Sequence, residues 1–159
     1  MANTDKSFNF SSMSSIHLLL CCCLFFFACR GNTSTEKGLF YEGRTLAVQG
    51  RYLEALPVLE QYLSKFPNGR FAGRAGLFLG KCYMGLGQLE DARKAFVDTR
   101  NRYPRSLEAH KSAYKIAVIA FLLGEEKEAL RQFTELSRNP DGPLCSEAAA
   151  FRNYLSRNR

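Results

Sequence analysis

A chain of 159 residues has room for one domain or one short repeat array, and 46% hydrophobic against 23% charged residues exclude a disordered polar tail. The net charge is +7, and all of the excess lies in residues 65–115, where eleven Lys or Arg stand against four acids. Such a basic middle attracts an acidic peptide, a lipid headgroup or nucleic acid, or else serves as a solubilising surface.

The first element in chain order is an address. Residues 16–29 read IHLLLCCCLFFFAC, with eleven uninterrupted apolar residues at 18–28. A spanning helix needs about 20 residues, so this run suits a signal-peptide core better than a membrane span. Four of the six cysteines lie here, Cys21, Cys22, Cys23 and Cys29. Only Cys82 and Cys145 remain in the body, too few for a disulfide framework, and neither has metal-ligand spacing with a histidine. Cys82 falls inside an apolar helical pattern and is expected to be a buried, inert thiol. The Ala28-Cys29 pair resembles the end of a bacterial lipoprotein signal, which implies that Cys29 is lipidated and becomes the N-terminus; the alternatives are an uncleaved membrane anchor, plain secretion or a misplaced start. Phe26 and Phe27 depart from that pattern. Arg30 stands where an inner-membrane retention signal carries Asp, so the resemblance implies the outer membrane.

The body repeats itself every 37 residues. Gly50, Gly87 and Gly124 keep this spacing, as do Ala55, Ala92 and Ala129, each preceded by an acid, and Leu59, Phe96 and Phe133. Pro67 and Pro104 form another column, and Gly43, Gly80 and Ala117 a further one. Gly50, Gly87 and Gly124 separate two apolar-periodic segments, where a tight helix–helix turn needs positive φ. The alanines are small where two helices approach, and the bulky column four residues on lies on the same face. The prolines stop the second helix of each pair.

The pattern predicts helices at about 37–49, 52–65, 70–86, 89–102, 106–123 and 126–138, and a capping helix at 145–157 with Ala149, Phe151, Tyr154 and Leu155 as its apolar side. Ser106 is the expected N-cap of the fifth helix and Asn68 a weaker one for the third. Pro57 falls inside the second helix, where it removes a hydrogen bond and is expected to bend the chain.

These columns resemble the tetratricopeptide repeat, a helix–turn–helix unit whose usual period is 34 residues. The implied fold is all-α: a right-handed α-solenoid of three tetratricopeptide helix-turn-helix repeats plus a C-terminal capping helix. The chain then divides into a signal peptide at 1–29 ending in the lipidation cysteine, a short linker at 30–36, three repeats at about 37–69, 70–106 and 107–143, and the cap at 144–159. Residues 66–72 and 103–109 look like the junctions of envelope lipoproteins of this family, of the barrel-assembly and Tol-Pal coordinator types. The third copy departs from the pattern, with Asp141 between Pro140 and Pro143 where proline is expected.

No catalytic constellation is found. His110 has no nucleophile motif around it and is expected to be solvated, no phosphate-binding loop occurs, and the carboxylates are scattered among lysines. The chain is expected not to be an enzyme and to need no cofactor or metal.

One constellation remains. In the resembled family, the first helix of each repeat lines the concave groove that receives a partner. Lys37, Arg74 and Lys111 occupy one position in the three first helices, Arg44 and Lys81 a second, and Lys115 lies one turn beyond Lys111. Phe40, Tyr41, Phe78, Tyr114 and Phe121 fall near the same surface. Cations for steering and rings for anchoring suit an acidic, partly apolar ligand. Lys111 and Lys115 also partly match the carboxylate clamp of some family members, although the first two repeats lack its asparagines. Arg93 and Lys94 belong to the outer side, with Arg93 expected to be exposed. The resemblance implies a non-catalytic protein–protein interaction scaffold of the bacterial cell envelope, anchored to a membrane by lipid and holding an acidic protein or peptide. The alternative is a binder of an anionic polymer, such as cell-wall polymer, lipopolysaccharide or, less suitably for an exported chain, nucleic acid.

Overall fold

The computed structural model describes residues 35–138 and 142–157. The apolar run ending at Cys29, and Pro140 and Asp141, lie outside them.

The described residues form seven helices and no strand: α1 (Glu36–Val48), α2 (Tyr52–Lys65), α3 (Ala72–Gly85), α4 (Leu89–Arg102), α5 (Leu107–Leu122), α6 (Glu126–Leu136) and α7 (Cys145–Arg157). The helices pair as α1–α2, α3–α4 and α5–α6, with α7 packed on α6. Each pair is joined by the same turn. Gly50, Gly87 and Gly124 have φ of 76°, 74° and 78°. In the middle pair the Gly87 N–H donates to the Met84 carbonyl at 3.0 Å and the Gln88 N–H to the Tyr83 carbonyl at 2.9 Å. The same two bonds occur around Gly50 and Gly124, so all three first helices end in a Schellman motif.

The other columns explain themselves by contact. Ala55, Ala92 and Ala129 are each 0% exposed, at the crossing within each pair. Leu59, Phe96 and Phe133 are also 0% exposed and pack against the small column of the first helices. In the third pair Ala117 replaces glycine, and the Phe133 ring instead stacks on Phe151 of α7, centroids 4.8 Å apart. Beside Phe151, α7 buries Ala148 and Leu155, whereas Ala149 is half-buried and Tyr154 is largely exposed. The expected cap therefore forms, turned slightly from the anticipated face.

Helix starts follow local chemistry. The Ser106 hydroxyl accepts from the Ala109 N–H at 3.1 Å and caps α5. Thr35 does the same for α1, accepting from the Gly38 N–H at 3.1 Å. Asn68 caps nothing: α3 begins at Ala72, later than expected, because residues 67–71 form a turn in which the Ala72 N–H donates to the Gly69 carbonyl at 3.0 Å. Helix α2 runs through Pro57. The missing N–H leaves the Leu53 carbonyl without its helical donor, at a residue 74% exposed where water can reach it. Cys82 is fully buried, and burial pushes its thiol up to about 11, which keeps it unreactive.

Candidate partner-binding groove

Besides its partner helix, α3 touches α1 on one side and α5 on the other, so the three first helices lie next to one another. The second helices α2, α4 and α6 make no comparable contact with each other. One side of the array is therefore a surface built from α1, α3 and α5. Residues three, four or seven apart share a helix face, which places Lys37, Tyr41 and Arg44 together on α1, and Arg74, Phe78 and Lys81 together on α3.

Cations and rings alternate there. The Lys37 ammonium and the Arg44 guanidinium each lie 5.9 Å from the centre of the Tyr41 ring. Arg70 and Arg74 lie 5.8 and 5.9 Å from the Phe71 ring, and the Lys81 ammonium lies 5.3 Å from Phe78. Tyr41 meets Phe71 edge-on at 5.9 Å, which joins the α1 and α3 sets into one strip. Contacts of this kind contribute about 0.5–1 kcal/mol each at exposed sites, and they hold long cationic side chains in place.

The lysines of the other half are set differently. Lys81 is open to solvent as a residue, yet its ammonium is partly desolvated. That burial, then the positive charges of Lys115 and Lys111, hold its pKa below the ordinary lysine value. Among the described residues no carboxylate pairs with Lys81, Lys111 or Lys115. Three lysines from two helices thus share one region without a counter-charge.

Not every anticipated residue belongs to the surface. Phe40 is only 2% exposed: Phe71 stacks flat on it with centroids 4.5 Å apart, so Phe40 is core and presents nothing to a ligand. Tyr114 is half-buried and packs edge-on against Phe133 at 5.6 Å. Phe121 is likewise occupied, against Phe151 at 5.8 Å. Arg74 is exposed but not free, because its Nε sits 3.5 Å from the Glu108 carboxylate of α5. His110 is half-buried, and its Nδ1 lies 3.0 Å from the Ser106 carbonyl, an acceptor that fixes the proton on that nitrogen.

Phe71 is the ring that periodicity overlooks. Its counterpart one period later is Glu108, so no column marks it, and it precedes the first turn of α3. Arg93 is the second correction. It is half-buried, and its Nη2 donates to Glu125 at 2.8 Å, tying the second pair of helices to the third. The sequence predicts an exposed residue, and the structure has an inter-repeat ion pair instead.

Paired helices with repeated glycine turns, stacked through their first members, are the geometry of one known repeat. Residues 46–116 match the family model of the tetratricopeptide repeat. Over that stretch the chain is similar to tetratricopeptide repeats. The matched stretch runs from the end of α1 to the middle of α5, and the α5–α6 pair that follows keeps the same turn and the same buried columns. Tetratricopeptide repeats generally mediate protein–protein interaction and are typically non-catalytic scaffolds. No curated protein matches the chain.

Proposed function

We propose that this tetratricopeptide-repeat chain is a non-catalytic scaffold of the bacterial cell envelope that holds an acidic protein segment in a groove lined by α1, α3 and α5. The observation that carries the reading is the group of Lys81, Lys111 and Lys115. Three uncompensated cations repel one another, and Lys81 resists its charge for that reason among others. An anionic ligand relieves this repulsion, so binding and charge relief are linked. The strip of Tyr41, Phe71 and Phe78 supplies apolar anchors beside the charge. In this reading Lys37, Arg44 and Arg74 steer the ligand, and Arg74 exchanges its Glu108 contact for the incoming carboxylate.

The envelope location rests on the N-terminal address alone. Lipidation at Cys29 would attach the chain by several acyl groups, where a single chain binds only marginally. Radiolabelled palmitate should enter the wild type and not Cys29→Ser; equal labelling would rule lipidation out.

A peptide array in which acidic and aromatic content vary independently tests the groove. Binding should require both features and fall only modestly with salt. If acidic content alone suffices and affinity drops steeply with salt, the chain is a binder of anionic polymers instead.

A further inference from the structure

Because the second helices do not pack on one another, a cleft of about 260 Å³ opens between α2 and α4, with α3 beneath it. Its floor is Gly76 and Leu79, and its apolar walls are Leu63 of α2 and Ala95 of α4. Gly76 is two residues from both Arg74 and Phe78, about 200° around the helix from each, so this cleft faces away from the basic strip.

Gly76 sets the floor. One period earlier the position is Leu39, a side chain buried in the core, and one period later it is Ala113. Over Ala113 the corresponding gap between α4 and α6 is about 160 Å³, and Arg100, Gln132 and Glu135 crowd it. A Cβ at residue 76 would collide with the hydroxyl of Thr99, which is itself 2% exposed and donates to the Ala95 carbonyl at 2.8 Å. Gly76 therefore lets Thr99 of α4 seat directly on α3, so the floor of the cleft is closely packed.

The rim has the opposite character to the rest of the chain. Glu60 on α2 and Asp98 on α4 stand on the two walls, and among the described residues neither has an ion-pair partner. Glu60 accepts a hydrogen bond from the Tyr83 hydroxyl at 2.9 Å, which holds it in place. Arg102, one turn along α4 from Asp98, also lines the cleft, so the rim is one charge negative on a chain that carries +7. Tyr103 adds an aromatic face, with its hydroxyl held by the Pro67 carbonyl at 2.7 Å.

We propose that this outer cleft is a second binding site, which takes one arginine side chain from a protein partner. The volume lies just below the roughly 300–1,000 Å³ of small-molecule pockets, which suits a single side chain. The methylene stem would lie along Leu63, Leu79 and Ala95. The guanidinium would meet carboxylates on two walls and a ring, an arrangement that suits a planar fork of donors better than the point charge of lysine. The proposal does not rest on the inner groove and can fail or succeed without it.

The test is an NMR titration of the 15N-labelled full-length chain with N-acetyl-arginine amide. Saturable shifts are expected at the amides of Gly76, Ala95 and Thr99, with a Kd in the millimolar range set by a single side chain. The citrulline counterpart, equal in shape but uncharged, should bind at least ten-fold more weakly. The double variant E60Q/D98N should lose at least ten-fold, and Ser64→Trp, which covers the mouth from an exposed position, should abolish the shifts. Absence of saturable shifts at those amides, equal binding of the arginine and citrulline amides, or unchanged binding by either variant would overturn the proposal.

Discussion

The Phe96 ring occupies the space that Gly80 leaves open: a Cβ built on Gly80 would fall 2.5–2.7 Å from three of its ring atoms. The relationship recurs between Gly43 and Leu59, where a Cβ would lie 2.8 and 2.9 Å from the leucine side chain. Two repeat columns are thus one packing contact. Gly80→Ala should gain about 0.5–1 kcal/mol of helix propensity and lose more by driving a fully buried ring out of place. A net loss of about 1–2 kcal/mol is expected in thermal melts. A variant as stable as the wild type would mean that Phe96 can shift freely.

The turn glycines act through the backbone alone. Nothing lies within 4 Å of a Cβ at Gly87, yet its φ is +74°. Gly87→Ala should therefore cost about 1 kcal/mol, and Gly87→Asn less, because asparagine tolerates this conformation better. Equal stability of all three proteins would remove the argument.

Arg93 should behave as a joint. Arg93→Gln breaks the 2.8 Å pair with Glu125 and strands a half-buried group, so a loss of about 1–2 kcal/mol is expected, while exposed Lys94→Gln should stay within about 0.5 kcal/mol. A double-mutant cycle of Arg93→Gln with Glu125→Gln should show positive coupling. Strict additivity would mean that the two charges do not cooperate across the repeat junction.

Tyr62 links α1, α2 and the start of α3. Its hydroxyl donates to Glu36 at 2.9 Å and accepts from the Phe71 N–H at 3.1 Å. Burial, and then the Glu36 hydrogen bond, push its pKa up to about 12. The unfolded chain gives up this proton near pH 10, before the folded one does, so Tyr62 lowers stability progressively as pH rises from about 10 to about 12. Tyr62→Phe should cost about 1–2 kcal/mol at neutral pH and flatten that alkaline fall. An unchanged alkaline slope would show that other tyrosines dominate it.

Glu128 supplies the acid counterpart. Hydrogen bonds from Arg131 and then Gln132 hold its carboxyl at about 2. Its stabilising contribution is present above the ordinary carboxylate range and is lost as pH falls towards about 2. Solvent screening keeps it at about 1 kcal/mol or less. The gap in melting temperature between wild type and Glu128→Gln should close over that interval. A gap that persists below it would point to packing rather than charge.

Much of the fold was legible because it is periodic. α2, α4 and α7 have the bounds that the columns and turn residues predict, 52–65, 89–102 and 145–157. α3 and α5 begin later than the columns predict, because the chain makes a turn or a cap before entering the helix. For the candidate site, the columns mark which charges share a helix face but not which rings are buried. Phe40 and Tyr41 are neighbours on α1, and which one is buried is decided by Phe71 from the next repeat, a contact no local pattern contains. The partners of Arg74 and Arg93 were invisible for a related reason. Glu108 and Glu125 have Phe71 and Gln88 as their counterparts one period earlier, so the columns do not flag them as acids.

The groove itself is tested most directly by charge reversal, read as the affinity for an acidic, aromatic peptide that the wild type binds. Lys81→Glu with Lys111→Glu reverses two cations on the first helices. Lys65→Glu with Lys94→Glu reverses two exposed cations on second helices and changes net charge equally. Circular dichroism should find both proteins as helical as the wild type. The inner pair is expected to lose binding at least 100-fold and the outer pair less than about three-fold, since close pairing and not overall charge would carry the affinity. Equal losses from the two pairs would contradict the groove and leave net charge as the cause.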